Sequence, residues 1–229
     1  MSTSPPPPSA SPASAQRQIG QAASAAVDHL ADTLPVLDRA AALWKAGIAP
    51  VAGDAAPRSV RDALNGAWLG HPIHPILVTV PLGAWTLTTV MDLLGERRTA
   101  DRCLAAGVLA ASAAAITGSA QWNGVTDHQR PRRIGVVHAI LNTAATSIYA
   151  GSWVLRARGH RGAGVATAAV GLGVVSLSGW LGGHLAYTLG VGVESDAFVR
   201  QATDGQPTGD DAGEGSRLDG SLDSHFGPA

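Results

Sequence analysis

Four histidines carry the chemistry that this sequence offers most clearly. They are His71, His74, His138 and His184, and each lies near or inside one of the long uncharged segments in the middle of the chain. Imidazoles from facing helices are common axial ligands of a b-type haem. Because ionisable groups are costly inside a membrane, they tend to mark function there. The histidines therefore predict a cofactor site, provided that the fold brings them together.

The uncharged segments are long enough to span a membrane. They cover about residues 75–94, 103–121, 134–155 and 163–187. A helix needs about 20 mainly apolar residues to cross the ~30 Å hydrocarbon core. A soluble bundle would show water a charged face, which these segments lack. We therefore predict an all-α fold, an integral membrane four-helix bundle with an up-down-up-down path.

Such a path places all four histidines at one end of the bundle. His138 lies just inside the third span, and His184 lies near the end of the fourth, about 34 Å of helix after Arg161. We predict that His138 and His184 are the axial ligands of haem b, with His71 or His74 as the competing ligand.

Three further side chains are predicted to support these ligands. Asn142 follows His138 by four residues, so the two share a helix face. By the same spacing argument, Trp180 and Tyr187 are predicted to flank His184.

Two other interpretations of the histidines stay open. Three or four neutral imidazoles also suit a non-haem metal such as copper, zinc or iron. Alternatively, the histidines are structural, and they hydrogen-bond loops and backbone at the interface of a non-catalytic membrane module. Haem b with electron transfer is the interpretation that we expect, and cofactor content separates the three.

Several classes of chemistry are excluded. Cys103 is the only cysteine, so this chain alone forms no disulfide, thiolate zinc site or iron–sulfur cluster. There is no C-x-x-C-H motif for covalent haem attachment, and no phosphate-binding loop, serine triad or paired carboxylates. Whether the protein is an enzyme is left open, with a redox role as the remaining option.

The segments outside the spans differ in composition. Residues 1–17 are almost only Pro, Ser and Ala and are predicted to be a disordered tail, as is the polar stretch 195–229. Residues 18–58 read as amphipathic helical segments, interrupted at Pro35, with a linker. The membrane domain then covers 59–194, and residues 60–69 are predicted to be an interfacial helix.

The arginines of the short loops predict the orientation. One side holds six, namely Arg97, Arg98, Arg102, Arg156, Arg158 and Arg161, and the other side holds Arg130, Arg132 and Arg133. The positive-inside rule then places the histidine end and both termini outside.

Net charge and composition predict the partners. A net charge of -1 offers no basic surface for nucleic acid. The expected partners are the lipid bilayer and either a separate redox protein or further copies of this chain.

Three motifs occur in order: G-A-W-L-G-H-P-I-H-P, then R-R-I-G-V-V-H-A-I-L-N, then G-W-L-G-G-H-L-A-Y. Together they resemble the bacterial domain-of-unknown-function family 2231 (DUF2231) of predicted four-helix membrane proteins, over about residues 61–194. The resemblance implies a bacterial plasma membrane location and carries over the same four histidines. Some relatives look fused to Rieske or cytochrome domains, which implies a membrane redox setting and, for this chain, a separate electron partner. Gln121 stands where the family suggests an acidic residue.

Overall fold

The structure is a computed structural model that describes residues 12–125 and 128–192. Within these residues every regular element is helical, which confirms the predicted all-α fold. Residues 1–11 of the predicted N-terminal tail (1–17) and the predicted C-terminal tail (195–229) lie outside the described residues. The first helix begins at Pro12, within the segment 1–17.

The N-terminal part forms short and amphipathic helices before the first span. These are α1 (Pro12–Thr33), α2 (Val36–Ala52) and α3 (Arg58–Leu64), followed by a single 3-10 turn at Ala67–Leu69. The break between α1 and α2 contains Pro35, as predicted, because proline supplies no backbone donor to continue a helix.

Four long helical segments follow. The first consists of α4 (His74–Leu77) and α5 (Thr79–Leu93), and the second is α6 (Arg97–Asn123). The third is α7 (Gln129–Ala157), and the fourth is α8 (Arg161–Gly183), which a π-helical turn extends to Thr188. All four are long and apolar enough to cross a membrane. The described chain thus confirms the predicted number and order of spans.

The first span is interrupted at Val78. Pro81 has no N–H to donate to the carbonyl of Leu77, four residues earlier, so the regular hydrogen-bond ladder fails at this point. The next bond of the ladder, from the Leu82 amide to the Val78 carbonyl, is long at 3.4 Å. This break gives α4, which carries His74, its own position next to α6.

Close helix packing in the bundle depends on glycine. Trp85 of α5 stacks on Tyr149 of α7 with ring centroids 4.1 Å apart. A side chain at Gly107 of α6 would overlap the Trp85 indole, and one at Gly171 of α8 would press on the Tyr149 ring. In lipid, where apolar surface alone drives little association, such close approach is what holds helices together.

Helices α1 and α2 dock on the histidine end of α7 through ion pairs. Arg133 is buried and donates to the Ala31 carbonyl at 2.8 Å, to the Asp32 carbonyl at 3.1 Å and to the Asp38 carboxylate. It therefore satisfies carbonyls at the open end of α1 and holds the first turn of α2. Arg130 pairs with Asp32, and Arg132 pairs with Asp38.

A second ionic cluster joins all four spans at the opposite end. The Asp92 carboxylate accepts from both terminal nitrogens of Arg156, at 2.9 and 2.6 Å, and from Arg161 at 2.7 Å. Both arginines also bond Asp101 of α6. Because the Arg156 side chain is only 1% exposed, this cluster is a fixed part of the bundle.

Candidate functional site

A cavity of about 210 Å³ lies between the spans, below the histidine end. Its wall is partly apolar, with Val78, Pro81, Leu82 and Trp85 from the first span. Its polar wall consists of His74, Ser112, Asn142, Thr143, Thr146 and Ser147. Polar groups grouped around a space at membrane depth are the usual sign of a functional site in a membrane protein.

His74 contributes a ring of defined tautomer to this wall. Its Nδ1 lies 2.9 Å from the Ala114 carbonyl oxygen, which only accepts, so Nδ1 carries the proton and Nε2 carries the lone pair. The ring lies against Gly118 of α6, where a Cβ would come within 2.6 Å of the imidazole Cε1. Within the described chain, no side chain occupies the lone pair of Nε2.

His138 lies behind the wall, with both ring nitrogens already bonded. Its Nδ1 donates to the Ser178 carbonyl at 2.8 Å, and its Nε2 accepts from the Asn142 amide at 2.9 Å. Gly182 of α8 leaves the room for this ring, since a Cβ there would lie 3.0 Å from the imidazole Cε1. The predicted pairing of Asn142 with His138 is thus present, and Asn142 connects His138 to the cavity.

His184 lies in a different environment. It is buried within the π-helical turn, and its Nε2 is 2.9 Å from the carboxylate of Asp28 on α1. Trp180 stacks on the imidazole with ring centroids 5.7 Å apart, so it lies beside His184 as the helical spacing predicts.

Tyr187 departs from its predicted position beside His184. It is 89% exposed, because the π-helical turn bonds Leu189 to the carbonyl of His184, five residues back, and so rotates the following side chains. The spacing rule that placed Tyr187 on the His184 face holds only for a regular α-helix.

His71 is exposed and lies outside the cavity. Its nearest polar partner is the carbonyl of the following Pro72, 3.4 Å from Nδ1. Of the four predicted histidines, the structure therefore brings only His74 to the cavity directly and His138 through Asn142.

The arrangement does not fit haem b at the predicted ligand pair. Both nitrogens of His138 are hydrogen-bonded, and the Nε2 of His184 is bonded to Asp28. The cavity of about 210 Å³ is also smaller than the ~300 Å³ at which pockets for drug-sized ligands begin, and a haem exceeds such ligands.

The described residues also lack a set of ligands for the non-haem metal alternative. Among residues 12–125 and 128–192, no group of three or more His, Cys, Asp or Glu side chains is placed to hold a metal ion. Haem and metal binding stay predictions of the sequence.

Trp85 is the most unusual of the cavity residues that the sequence analysis did not name. It is 2% exposed, and its indole Nε1–H has no hydrogen-bond partner in the described chain. Membrane tryptophans usually sit at the interfaces, where the N–H reaches water. Trp85 lies near the middle of its span, and that unusual depth is the signal that could have singled it out.

The fold and the cavity define a class of protein: a four-helix membrane protein with a small polar cavity between its spans. The family model described as "Predicted membrane protein (DUF2231)" matches residues 70–195, more than half of the chain. The protein belongs to this family. No curated protein and no solved structure matches the chain.

Proposed function

We propose that this DUF2231 protein is a membrane-embedded binding module that takes a small, lipid-soluble ring compound in the cavity between α5, α6 and α7. The observation that carries the proposal is the imidazole of His74, which lines the cavity and whose Nδ1 bond to the Ala114 carbonyl leaves the lone pair of Nε2 without a side-chain partner in the described chain. His74 is partly buried, and an acceptor in such low-dielectric surroundings is satisfied only when a ligand donates to it, because unpaired polar groups are costly there.

The size of the cavity supports a single ring. An engineered protein cavity of about 150 Å³ binds benzene, so about 210 Å³ accommodates one substituted six-membered ring. On α6 the wall runs from Ala111 to Ala115, and on α7 from Asn142 to Ser147, which is about 6–8 Å along the helix axes. That height matches one ring with a substituent at each end.

The cavity opens towards lipid between α6 and α7. Three of its polar residues on these helices, Ser112, Thr143 and Ser147, are exposed on the outer surface of the bundle. A ligand dissolved in the bilayer therefore has a lateral route to His74 that avoids the ionic clusters at both ends.

Filling the cavity tests the proposal. Thr146→Phe places a ring in the cavity, and we expect it to reduce binding of para-fluorophenol at least tenfold. Fluorine NMR on protein in nanodiscs measures binding, and empty nanodiscs correct for partition into lipid. The matched control is Thr86→Phe on α5, because Thr86 is exposed and also donates only to a carbonyl four residues back.

Two outcomes would overturn the proposal. One is that para-fluorophenol, para-fluoroanisole and fluorobenzene all partition equally into protein-containing and empty nanodiscs. The other is that purified protein, supplied with haem, shows a Soret band that shifts on reduction and is lost in His138→Ala. That result would support the haem b electron-transfer role predicted from the sequence, with its separate redox partner.

We also propose that the histidine end faces outward. Support comes from the loop arginines, six on one side against three on the other. On this orientation the cavity lies in the outer half of the bilayer.

A further inference from the structure

We infer that the cavity selects ligands that donate hydrogen bonds, so that it takes a hydroxylated ring, such as a phenol or hydroquinone, in preference to a ring of the same size without an O–H. This inference rests on the proposed function and names the ligand class of that site. It follows from assigning each polar atom of the wall as a donor or an acceptor.

The histidine and the amide of the wall are assigned by their partners. Nδ1 of His74 faces a carbonyl and must donate, so Nε2 of the neutral ring accepts. Nδ1 of His138 likewise faces the Ser178 carbonyl, which makes its Nε2 an acceptor. Asn142 must then present an N–H to that Nε2, and its amide oxygen is left to accept from the cavity.

The hydroxyl groups of the wall have already used their protons. Each donates to a backbone carbonyl four residues earlier on its own helix, at 2.8 to 3.1 Å, and keeps only lone pairs for a ligand. The four residues are Ser112, Thr143, Thr146 and Ser147.

Acceptors therefore outnumber donors on this wall. The acceptors are six: Nε2 of His74, the amide oxygen of Asn142 and the four hydroxyl oxygens. Against these stands one available donor, the second amide proton of Asn142, because Nε1 of Trp85 lies against Gly107 of α6, which is not part of the wall. A ligand hydroxyl satisfies the acceptors, whereas an ether or carbonyl leaves the lone pair of His74 unmatched.

A comparison of two similar rings tests the selectivity. Para-fluorophenol and para-fluoroanisole differ in that methylation removes the O–H, and fluorine NMR in nanodiscs measures both after correction with empty nanodiscs. We expect the phenol to bind about tenfold more tightly, because leaving one buried acceptor unsatisfied costs about one such factor. In His74→Leu the preference should fall to about threefold or less, whereas Ser176→Ala on α8, whose hydroxyl lies outside the cavity, should keep it.

The outcomes separate this inference from the proposed function. If both rings bind equally and Thr146→Phe abolishes both, the cavity is a binding site but the donor selectivity is wrong. If the anisole binds more tightly, the assignment of the wall is reversed. The comparison on the unsubstituted protein decides the matter even if His74→Leu does not fold.

Discussion

Asp92 is the acidic residue on which the bundle depends at the end opposite the histidines. Its side chain is 7% exposed and meets the guanidinium groups of Arg156 and Arg161. Ser152 completes the arrangement: it accepts from Nε of Arg156 at 3.2 Å and donates to the Gly164 carbonyl at 2.6 Å. A buried charge pair contributes little net stability over apolar residues, but removing one partner strands the other.

Asp92→Asn should therefore destabilise the protein by up to about 3–5 kcal/mol, because the buried Arg156 would lose the carboxylate that accepts from both of its terminal nitrogens and keep only the single carboxylate bond to Asp101. Unfolding in a detergent mixture, followed by circular dichroism, measures the change. Asp62→Asn is the matched control, since Asp62 forms an exposed pair with Arg58 at 3.8 Å, and we expect it to change stability by less than about 1 kcal/mol. Equal stability of the two variants would show that Arg156 is hydrated and that the cluster contributes little.

Partners close in sequence were predictable at the residue scale, and distant ones were not. The contact between His138 and Asn142 follows from helical spacing alone. The bond from His184 to Asp28 joins residues 156 positions apart, so no local pattern indicates it. The haem pair was predicted from position along the helices alone, whereas in the structure His138 bonds to α8 and His184 bonds to α1.

At the scale of elements, α1 and α2 pack on the spans. Their amphipathic sequence predicted helices but did not indicate which part of the chain they contact. Trp44 of α2 also donates to Ser119 of α6 at 3.3 Å, so the pair touches two spans. The guanidinium groups of Arg133 and Arg132 hold the pKa of Asp38 well below its usual 3.8. Arg130 likewise lowers the pKa of Asp32.

These lowered pKa values predict acid-resistant docking of α2. A carboxylate with a lowered folded-state pKa contributes stability that is fully present above the unfolded value of about 3.9 and is lost as pH falls through the folded value. Docking should therefore persist at pH 4 and weaken only below it. Spin labels at Leu43 and Ile140, both exposed, report the separation of α2 from α7.

In Asp38→Asn the same distance should broaden already at pH 7, because Arg133 and Arg132 lose their shared counter-charge. Loss of docking in the unsubstituted protein between pH 5 and 6 would contradict the assignment, since it would point to a histidine rather than to Asp38.

Element boundaries show what local sequence rules omit. Helix α6 begins at Arg97, before the uncharged segment that starts near residue 103, and α7 begins at Gln129, before the one that starts near 134. Hydrophobicity marks only the part of a helix that lies inside lipid. The charged turns beyond it are helical because the backbone hydrogen bonds of the helix continue through them. The proline signal at Pro35 was the more reliable guide.

At the scale of the whole molecule, the cavity is a product of packing among several helices. Its wall takes residues from α4, α5, α6, α7 and α8, and no one segment carries its pattern. Glycines set which helices approach closely: Gly118 admits His74 and Gly182 admits His138. The fold was therefore predictable from composition and length, whereas the site needed the three-dimensional arrangement.

Orientation is the property of the whole molecule that decides which side His74 faces. The arginine count favours the histidine end outside, because basic residues in short loops resist translocation.

After replacement of Cys103, we expect Gln129→Cys to react with an impermeant maleimide added outside cells and His160→Cys to be protected. Both positions are exposed. His160 is chosen rather than the adjacent Gly159, because the φ of +84° at Gly159 disfavours a side chain. Reaction at His160→Cys with protection at Gln129→Cys would place the cavity in the inner half of the bilayer instead. Because the positive-inside rule acts during insertion, the ion pairs that Arg130, Arg132 and Arg133 form in the folded protein leave this expectation unchanged.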